Sequence, residues 1–303
     1  MIDAHHHIWR QADLPWLIGP ERPRIFGPYA PLKRDYMIEE YLDDIAGTGI
    51  TGSVYVQANW APNWAVDEVA WVQGEADRTG WPMAIVGYAD MTRSDAPETF
   101  AAMRRYPAMR GIRHQFHWHE NPAYRFAPNA DLCRDPQVQA NVAKLADLGW
   151  IFELQVFAPQ MAGAVELARA CPGTTLVLQH AGMLEDRSEA GRADWHEGLS
   201  ALAECPNVVC KLSGLGTFVH RVDPDHIADQ VRTALALFGA ERCLFGSNFP
   251  IEKLWTGYAD LFAATEAAVP KKARAQVFDE TAIRVYRLDT IGEALHGPAD
   301  PRS

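Results

Sequence analysis

The chain opens on Asp3-Ala4-His5-His6-His7-Ile8, where the alternation of a β-strand would turn Asp3, His5 and His7 to one face and His6 to the other. Two imidazoles one strand repeat apart can hold a single metal ion or jointly polarise one carbonyl oxygen. A purification-tag remnant would usually be longer and would not run into a structured Ile8-Trp9, so a purely structural histidine cluster is the stronger rival reading. A third imidazole, His180, follows the apolar run Leu176-Val177-Leu178-Gln179, where strand yields to loop. Alone it would read as a hydrogen-bonded core residue. With His5 and His7 it becomes a constellation.

Further groups extend it. In Ile151-Phe152-Glu153-Leu154-Gln155-Val156 the alternation sends Phe152, Leu154 and Val156 one way and Glu153 and Gln155 the other, and a carboxylate turned inward demands a partner. Lys211 and Arg113 are the expected partners; both also sit near strand ends, where they can bind an anionic or polyhydroxylated substrate. Asn248, in Gly246-Ser247-Asn248-Phe249-Pro250, offers an amide that donates or accepts but does not titrate. Glu252 does titrate; its competing readings are an exposed loop carboxylate or a partner of Lys253. His114, His117 and His119 form a second histidine patch, with the latter two as substrate-loop candidates. Trp9, Trp16, Trp60 and Trp64 can close over a ring, or simply pack the loops together.

Positioning these groups falls to short β-rich runs that alternate with amphipathic segments from end to end, the pattern of a parallel sheet built from βα units. The expected strands are Ile2 to Ile8, Gly52 to Gln57, Met83 to Tyr88, Gly111 to Phe116, Ile151 to Phe157, Thr175 to His180, Val208 to Ser213 and Cys243 to Ser247. Helices are expected from Val66 to Arg78, from Asp135-Pro136 to a stop at Gly149, from Gln160 to Ala170, from Asp225 to Phe238, from Ala259 to Val269, and from Ala273 to Tyr286. About eight such units fit a closed barrel better than an open sheet. No Gly-x-Gly-x-x-Gly follows the first strand, against dinucleotide binding. The Pro-rich stretch from Arg10 to Tyr36 and the stretch from His117 to Arg134 both follow strands and belong at the mouth of a barrel.

The sequence has 303 residues, 48% hydrophobic and 22% charged, which is globular composition. A net charge of -11 repels phosphate backbones and anionic membranes, so neither nucleic acid nor membrane is an expected partner, while a homo-oligomer is allowed. The five cysteines, Cys133, Cys171, Cys205, Cys210 and Cys243, are scattered without a C-x-x-C pair and read as buried and reduced. With no leader-like start and no apolar run long enough to span a bilayer, a cytoplasmic location is expected.

Taken together, Asp3 to Trp9, Gly111-Ile112-Arg113-His114, Leu154-Gln155-Val156, Gln179-His180-Ala181-Gly182, Lys211-Leu212-Ser213-Gly214-Leu215 and Phe245 to Pro250 resemble the amidohydrolase superfamily. The likeness is to the amidohydrolase-related group that holds sugar lactonases such as fuconolactonase and the pyrone-dicarboxylate lactonases. It covers nearly the whole chain. It implies a single-domain α/β fold, a distorted (β/α)8 TIM barrel over residues 1–288 followed by a tail over 289–303, and hydrolysis at a carbonyl. His5 and His7 match the first-strand pair and His180 the sixth-strand histidine. Gln155 stands in a region where metal-dependent relatives often place a histidine, and Asn248 where many place an aspartate. Three neutral imidazoles would then hold a dication without charge compensation, so the site is either metal-free or carries one weakly bound divalent metal such as Zn²⁺ on His5, His7 and His180.

On that likeness the substrate is a small lactone, of an aldonic acid or of a pyrone or muconate type. His5 and His7 polarise the carbonyl, His180, titrating near neutrality, serves as base or donor, Asn248 orients water, and Glu252 is the reserve base. Arg113 and Lys211 grip the substrate, with His114, Gln155 and Trp9 beside them. Decarboxylation or hydration of an aromatic-derived acid in the same barrel is one alternative; a sugar-acid binding protein that has lost its catalytic group at Asn248 is another.

Overall fold

In the computed structural model, which describes residues 1–288, the eight β-rich runs are parallel strands joined in sequence order. They are β1 (Ile2–His6), β2 (Gly52–Val56), β3 (Ala84–Gly87), β4 (Met109–Gln115), β5 (Ile151–Gln155), β6 (Leu176–Leu178), β7 (Val208–Leu212) and β8 (Cys243–Phe245). The tail expected over 289–303 lies outside the described residues. Beyond the end of β8 the sheet is drawn onto β1: Asn248 N donates to the His5 carbonyl at 2.7 Å and His7 N to the Phe249 carbonyl at 2.7 Å. Asp3 clasps the same seam, its carboxylate accepting from Ser247 N at 2.8 Å and Ser247 Oγ at 2.6 Å. The result is the distorted (β/α)8 barrel that the alternating pattern implied.

Two apolar layers result from strand alternation. Ile2, Ala4, Val54, Val56, Ala84, Val86, Ile151, Val177, Val209 and Leu244 fill the barrel interior together with Ala282, Val285 and Tyr286. The opposite positions, such as Phe152 and Leu154 of β5 and Val156 just past its end, pack against the helices.

Those helices are α1 (Pro15–Ile18), α2 (Ile38–Asp44), α3 (Ala65–Thr79), α4 (Ala96–Met103), α5 (Pro136–Lys144), α6 (Met161–Ala170), α7 (Glu189–Ala203), α8 (Pro224–Phe238), α9 (Tyr258–Ala268) and α10 (Thr281–Tyr286). At α5 the Asp135 side chain accepts from Gln137 N and Val138 N; the helix tightens to 3-10 over Leu145–Leu148 and stops at Gly149, whose φ is 63°. α1, α2, α4 and α7 have no counterpart among the sequence-predicted helices. In α7 the buried face consists of little more than Trp195, Leu199 and Leu202, and Gly191 and Gly198 dilute the periodic signal; the Ser188 side chain caps the helix. The segment expected as one helix from Ala273 to Tyr286 is broken into a 3-10 turn, a π-turn over Gln276–Glu280 and α10. Among the described residues, no helix is long and apolar enough to cross a membrane. All five cysteines are buried free thiols.

Candidate active site

A cavity opens at the carboxyl ends of the strands, roofed by the two long loops expected at the mouth. His7, Trp9, Arg113, Gln155, His180 and Asn248 all line it. β4 and β5 deliver Arg113, Gln115 and Gln155 by alternation, His180 and Asn248 come from the turns beyond β6 and β8, and on β1 the simple alternation fails.

Asp3 pairs with Ser53 and His6 with Tyr55, so β1 carries one residue more than β2 over that stretch. Such a bulge reverses the facing of the residues after it. Ile2 and Ala4 belong to the inward apolar layer. Past the bulge, His5 and His7 take the inward face, their rings 5.1 Å apart, and His5 lies 4.9 Å from His180. Asp3 therefore does not share the histidines' face, contrary to simple alternation; it is held outward by Tyr41 and Tyr258, whose hydroxyls each lie 3.0 Å from its carboxylate. His6 turns out as expected, stacked on Tyr41 at 3.9 Å and bonded to Ser53 Oγ at 2.9 Å.

His180 and Asn248 reach the cavity through left-handed backbone, with φ of 55° and 58°. For residues other than glycine this is a strained conformation, of the kind that collects at functional sites. Two glycines make room: a Cβ on Gly246 would lie 2.6 Å from His5 Cβ, and one on Gly214, itself at φ 58°, 2.6 Å from His180 Nδ1.

Electrostatics set the states of these groups. Burial, reinforced by Lys211 for His5 and by Arg113 for His7, holds both imidazoles well below the usual histidine range. Burial and the same two cations lower His180 to about 3, which corrects the expectation that it titrates near neutrality. All three rings are thus neutral at pH 7. His7 Nδ1 donates to the Val56 carbonyl at 2.6 Å, which leaves Nε2 as an acceptor. His180 Nδ1 shares a hydrogen bond with Ser213 Oγ at 2.9 Å, and both His5 nitrogens are buried without a partner. Arg113 Nη2 donates to the Gln57 carbonyl, while its buried Nε has no partner. Burial lowers the guanidinium to about 10, still cationic at neutral pH.

Glu252 lies one hydrogen bond behind the wall. It is fully buried and bonded to Asn248, to Trp255 Nε1 at 2.9 Å and to Thr217 Oγ1 at 3.3 Å; Thr217 and Asn248 line the cavity. Burial outweighs these donors and raises its carboxyl to about 8. It is neither exposed nor paired with Lys253, which instead binds Glu40 and Asp44.

Three expected contacts are not made, the first that of His5, which is fully buried and is not among the residues lining the cavity. Lys211 is spent on Glu153 at 2.6 Å and on the Ala4 carbonyl at 2.7 Å, inside the barrel and away from the cavity wall. His114 points between strand and helix layers, where its Nδ1 accepts from Met91 N at 3.2 Å. His117 does line the cavity, stacked on Phe126. Arg24, Tyr124, Arg125 and Thr217 also line it and go unmarked in the sequence, because loop residues carry no periodicity to show where they point. Trp16 lines it too, whereas Trp60 packs on Trp71.

As a seat for a divalent cation this set does not fit. Among the described residues no group of three or more His, Cys, Asp or Glu side chains is arranged to hold a metal ion. His5, His7 and His180 bring no carboxylate, and Arg113 and Lys211 already press positive charge on them.

Over residues 2–288 the chain matches the amidohydrolase family. An uncharacterised protein of Sinorhizobium fredii is 32% identical over 296 residues, covering 95% of this chain and 98% of that protein. An L-fucono-1,5-lactonase of Burkholderia multivorans is 30% identical over 317 residues, covering 99% and 98%. Among solved structures, an amidohydrolase of Burkholderia multivorans with bound zinc shares 28% identity at a TM-score of 0.79, covering 94% and 98%.

Proposed function

The chain belongs to the amidohydrolase family, and from that premise we propose that it opens a lactone ring by adding water to the ring carbonyl. The observation that carries the reading is a buried guanidinium with an unpartnered Nε–H sharing one cavity with neutral imidazoles, while a carboxyl raised to about 8 waits one hydroxyl behind the wall. The L-fucono-1,5-lactonase of Burkholderia multivorans, similar over nearly its full length, supports the choice of a cyclic ester.

Arg113 is the electrophile. Its free Nε–H, in a site shielded from water, is suited to the oxygen on which negative charge develops as water adds. Neutral His180 donates a second hydrogen bond there from Nε2 when Ser213 donates to Nδ1. His7 Nε2, committed as an acceptor, takes one proton of the attacking water in a hydrogen bond and aims its lone pair at the carbonyl carbon.

The base is chosen by magnitude. With His180 near 3, it is a poor proton acceptor at neutral pH, whereas Glu252 near 8 is well matched to the task. Water at the cavity wall loses its proton through the Thr217 hydroxyl to Glu252. Asn248, its amide engaged by Glu252, keeps the other side of that water in place. The C–O ring bond then breaks, and the proton returns from Glu252 to the leaving alkoxide, giving the hydroxy acid. The five free thiols support work in a reducing compartment, the cytoplasm.

The test is a pH-indicator screen of sugar, pyrone and muconate-type lactones, with and without chelator, on protein of measured metal content. Acid release that survives chelation is expected. Release of CO₂, water addition without ring opening, or ligand binding without turnover would each overturn the assignment.

A further inference from the structure

One peptide group beside the cavity is gripped from both sides. The Gln57 carbonyl accepts from Arg113 Nη2, and the Ala58 N–H, at the other end of the same peptide, donates to Glu68 Oε1 at 2.6 Å. The bond is trans, so its C=O and N–H point in opposite directions. Arg113 and Glu68 therefore face each other through a single polarisable unit. The next carbonyl, that of Ala58, accepts from Trp16 Nε1 at 3.0 Å, and Ala58 itself lines the cavity.

Glu68 is an unusual residue for its place. α3 buries Ala65, Val69 and Val72, the spacing of an apolar stripe, and Glu68 is buried on that same stripe. Its Oε1 also accepts from the Tyr55 hydroxyl at 2.8 Å, while Oε2 is buried without a partner. A carboxyl that strands one oxygen in the interior costs stability against an apolar side chain of the same shape, so packing alone does not account for it. Burial raises the group to about 7, opposed by its two hydrogen bonds and by the field of Arg113.

Resting on the ring-opening reading, we infer that Glu68 is a positioning residue for Arg113, acting through the Gln57–Ala58 peptide. Its charge beside the N–H pushes electron density toward the carbonyl and makes that oxygen a stronger acceptor. The guanidinium is a rigid plane, so holding Nη2 fixes the direction of the unpartnered Nε–H that meets the developing negative charge. Glu68 itself is not on the cavity wall and acts at one remove.

The test uses Glu68→Gln, which keeps an acceptor for the N–H and removes the charge, and Glu68→Leu, which removes both. Measurements are made at about pH 8, above the value to which burial raises the carboxyl, so the wild type carries the charge. In proton–nitrogen correlation spectra the Arg113 Nε–H is the side-chain cross-peak missing from Arg113→Met. It is expected to move farther in either variant than in Val69→Ala, which disturbs the same helix face without touching the peptide. In turnover of the best lactone, kcat is expected to fall about tenfold in Glu68→Gln and further in Glu68→Leu, with KM within about twofold of the wild type, the mark of a charge-assisted bond made neutral. In the Arg113→Met background Glu68→Gln is expected to cost nothing more, because the route runs through the guanidinium. Four results each overturn the inference and leave ring opening standing: a cross-peak that moves no farther than in Val69→Ala, an unchanged kcat, a loss undiminished in the double variant, or a loss matched by the fall in folded protein. Should Glu68→Leu not fold, Glu68→Gln supplies both readouts. If no lactone is opened, ring opening falls and the cross-peak alone decides.

Discussion

Two cations project into the same barrel and meet opposite fates. Lys211 is fully answered: its ammonium lies 2.6 Å from Glu153, and that carboxylate also accepts from Tyr286 at 2.5 Å and Gln179 at 2.8 Å. Arg113, on β4, has one carbonyl partner and a buried Nε with none. A closed network of this kind supports the fold, because every charge that left water has found a replacement. An open one leaves capacity for a ligand. Charge and burial alone do not separate the two residues; satisfaction does.

The contrast breaks most directly in stability. Lys211→Met strands Glu153 in the interior and is expected to lower the unfolding free energy by ~3–5 kcal/mol, read from urea midpoints. A midpoint equal to the wild type's would mean the pair is not structural. Arg113→Met is expected to fold with a smaller shift and to lose turnover by roughly 10²–10³-fold, the scale of one oxyanion donor. Comparable stability losses in both variants, with activity preserved in Arg113→Met, would erase the distinction.

Glu252→Gln sharpens it further, since this carboxyl is buried, hydrogen-bonded to neutral groups without a countercharge, and titratable. A base works only when ionised, so wild-type turnover is expected to climb as pH rises through about 8. The glutamine variant loses that limb and on the order of 10²-fold in rate. A pH profile that keeps the limb in the variant would assign the base elsewhere. The smallest contrast is between rings: His180→Ala is expected to reduce turnover far more than His6→Ala, which surrenders its stacking on Tyr41 and shows mainly in thermal stability.

Much of this arrangement is readable from residue types. Alternation places Glu153 beside Lys211, and the apolar runs locate all eight strands to within a few residues, because parallel strands buried on both faces read as short, nearly continuous apolar stretches. It misplaces Asp3, because a bulge depends on pairing with β2, which a single strand's pattern does not contain. The state of His180 escapes sequence reasoning for a related reason: its depressed basicity comes from burial and from Arg113 and Lys211, distant in the chain and close in space. α7 is hidden because its buried side is narrow and interrupted by glycine, and Arg24 and Arg125 because irregular loops announce no direction.

The extra residue in β1 makes the chemistry of the mouth a matter of counting. Ala4 and His5 both point inward only because the first two strands pair out of step; were the same letters paired evenly, His6 would stand where its two neighbours now do. A homologue could therefore spell the triple histidine unchanged and still lack the pocket it builds.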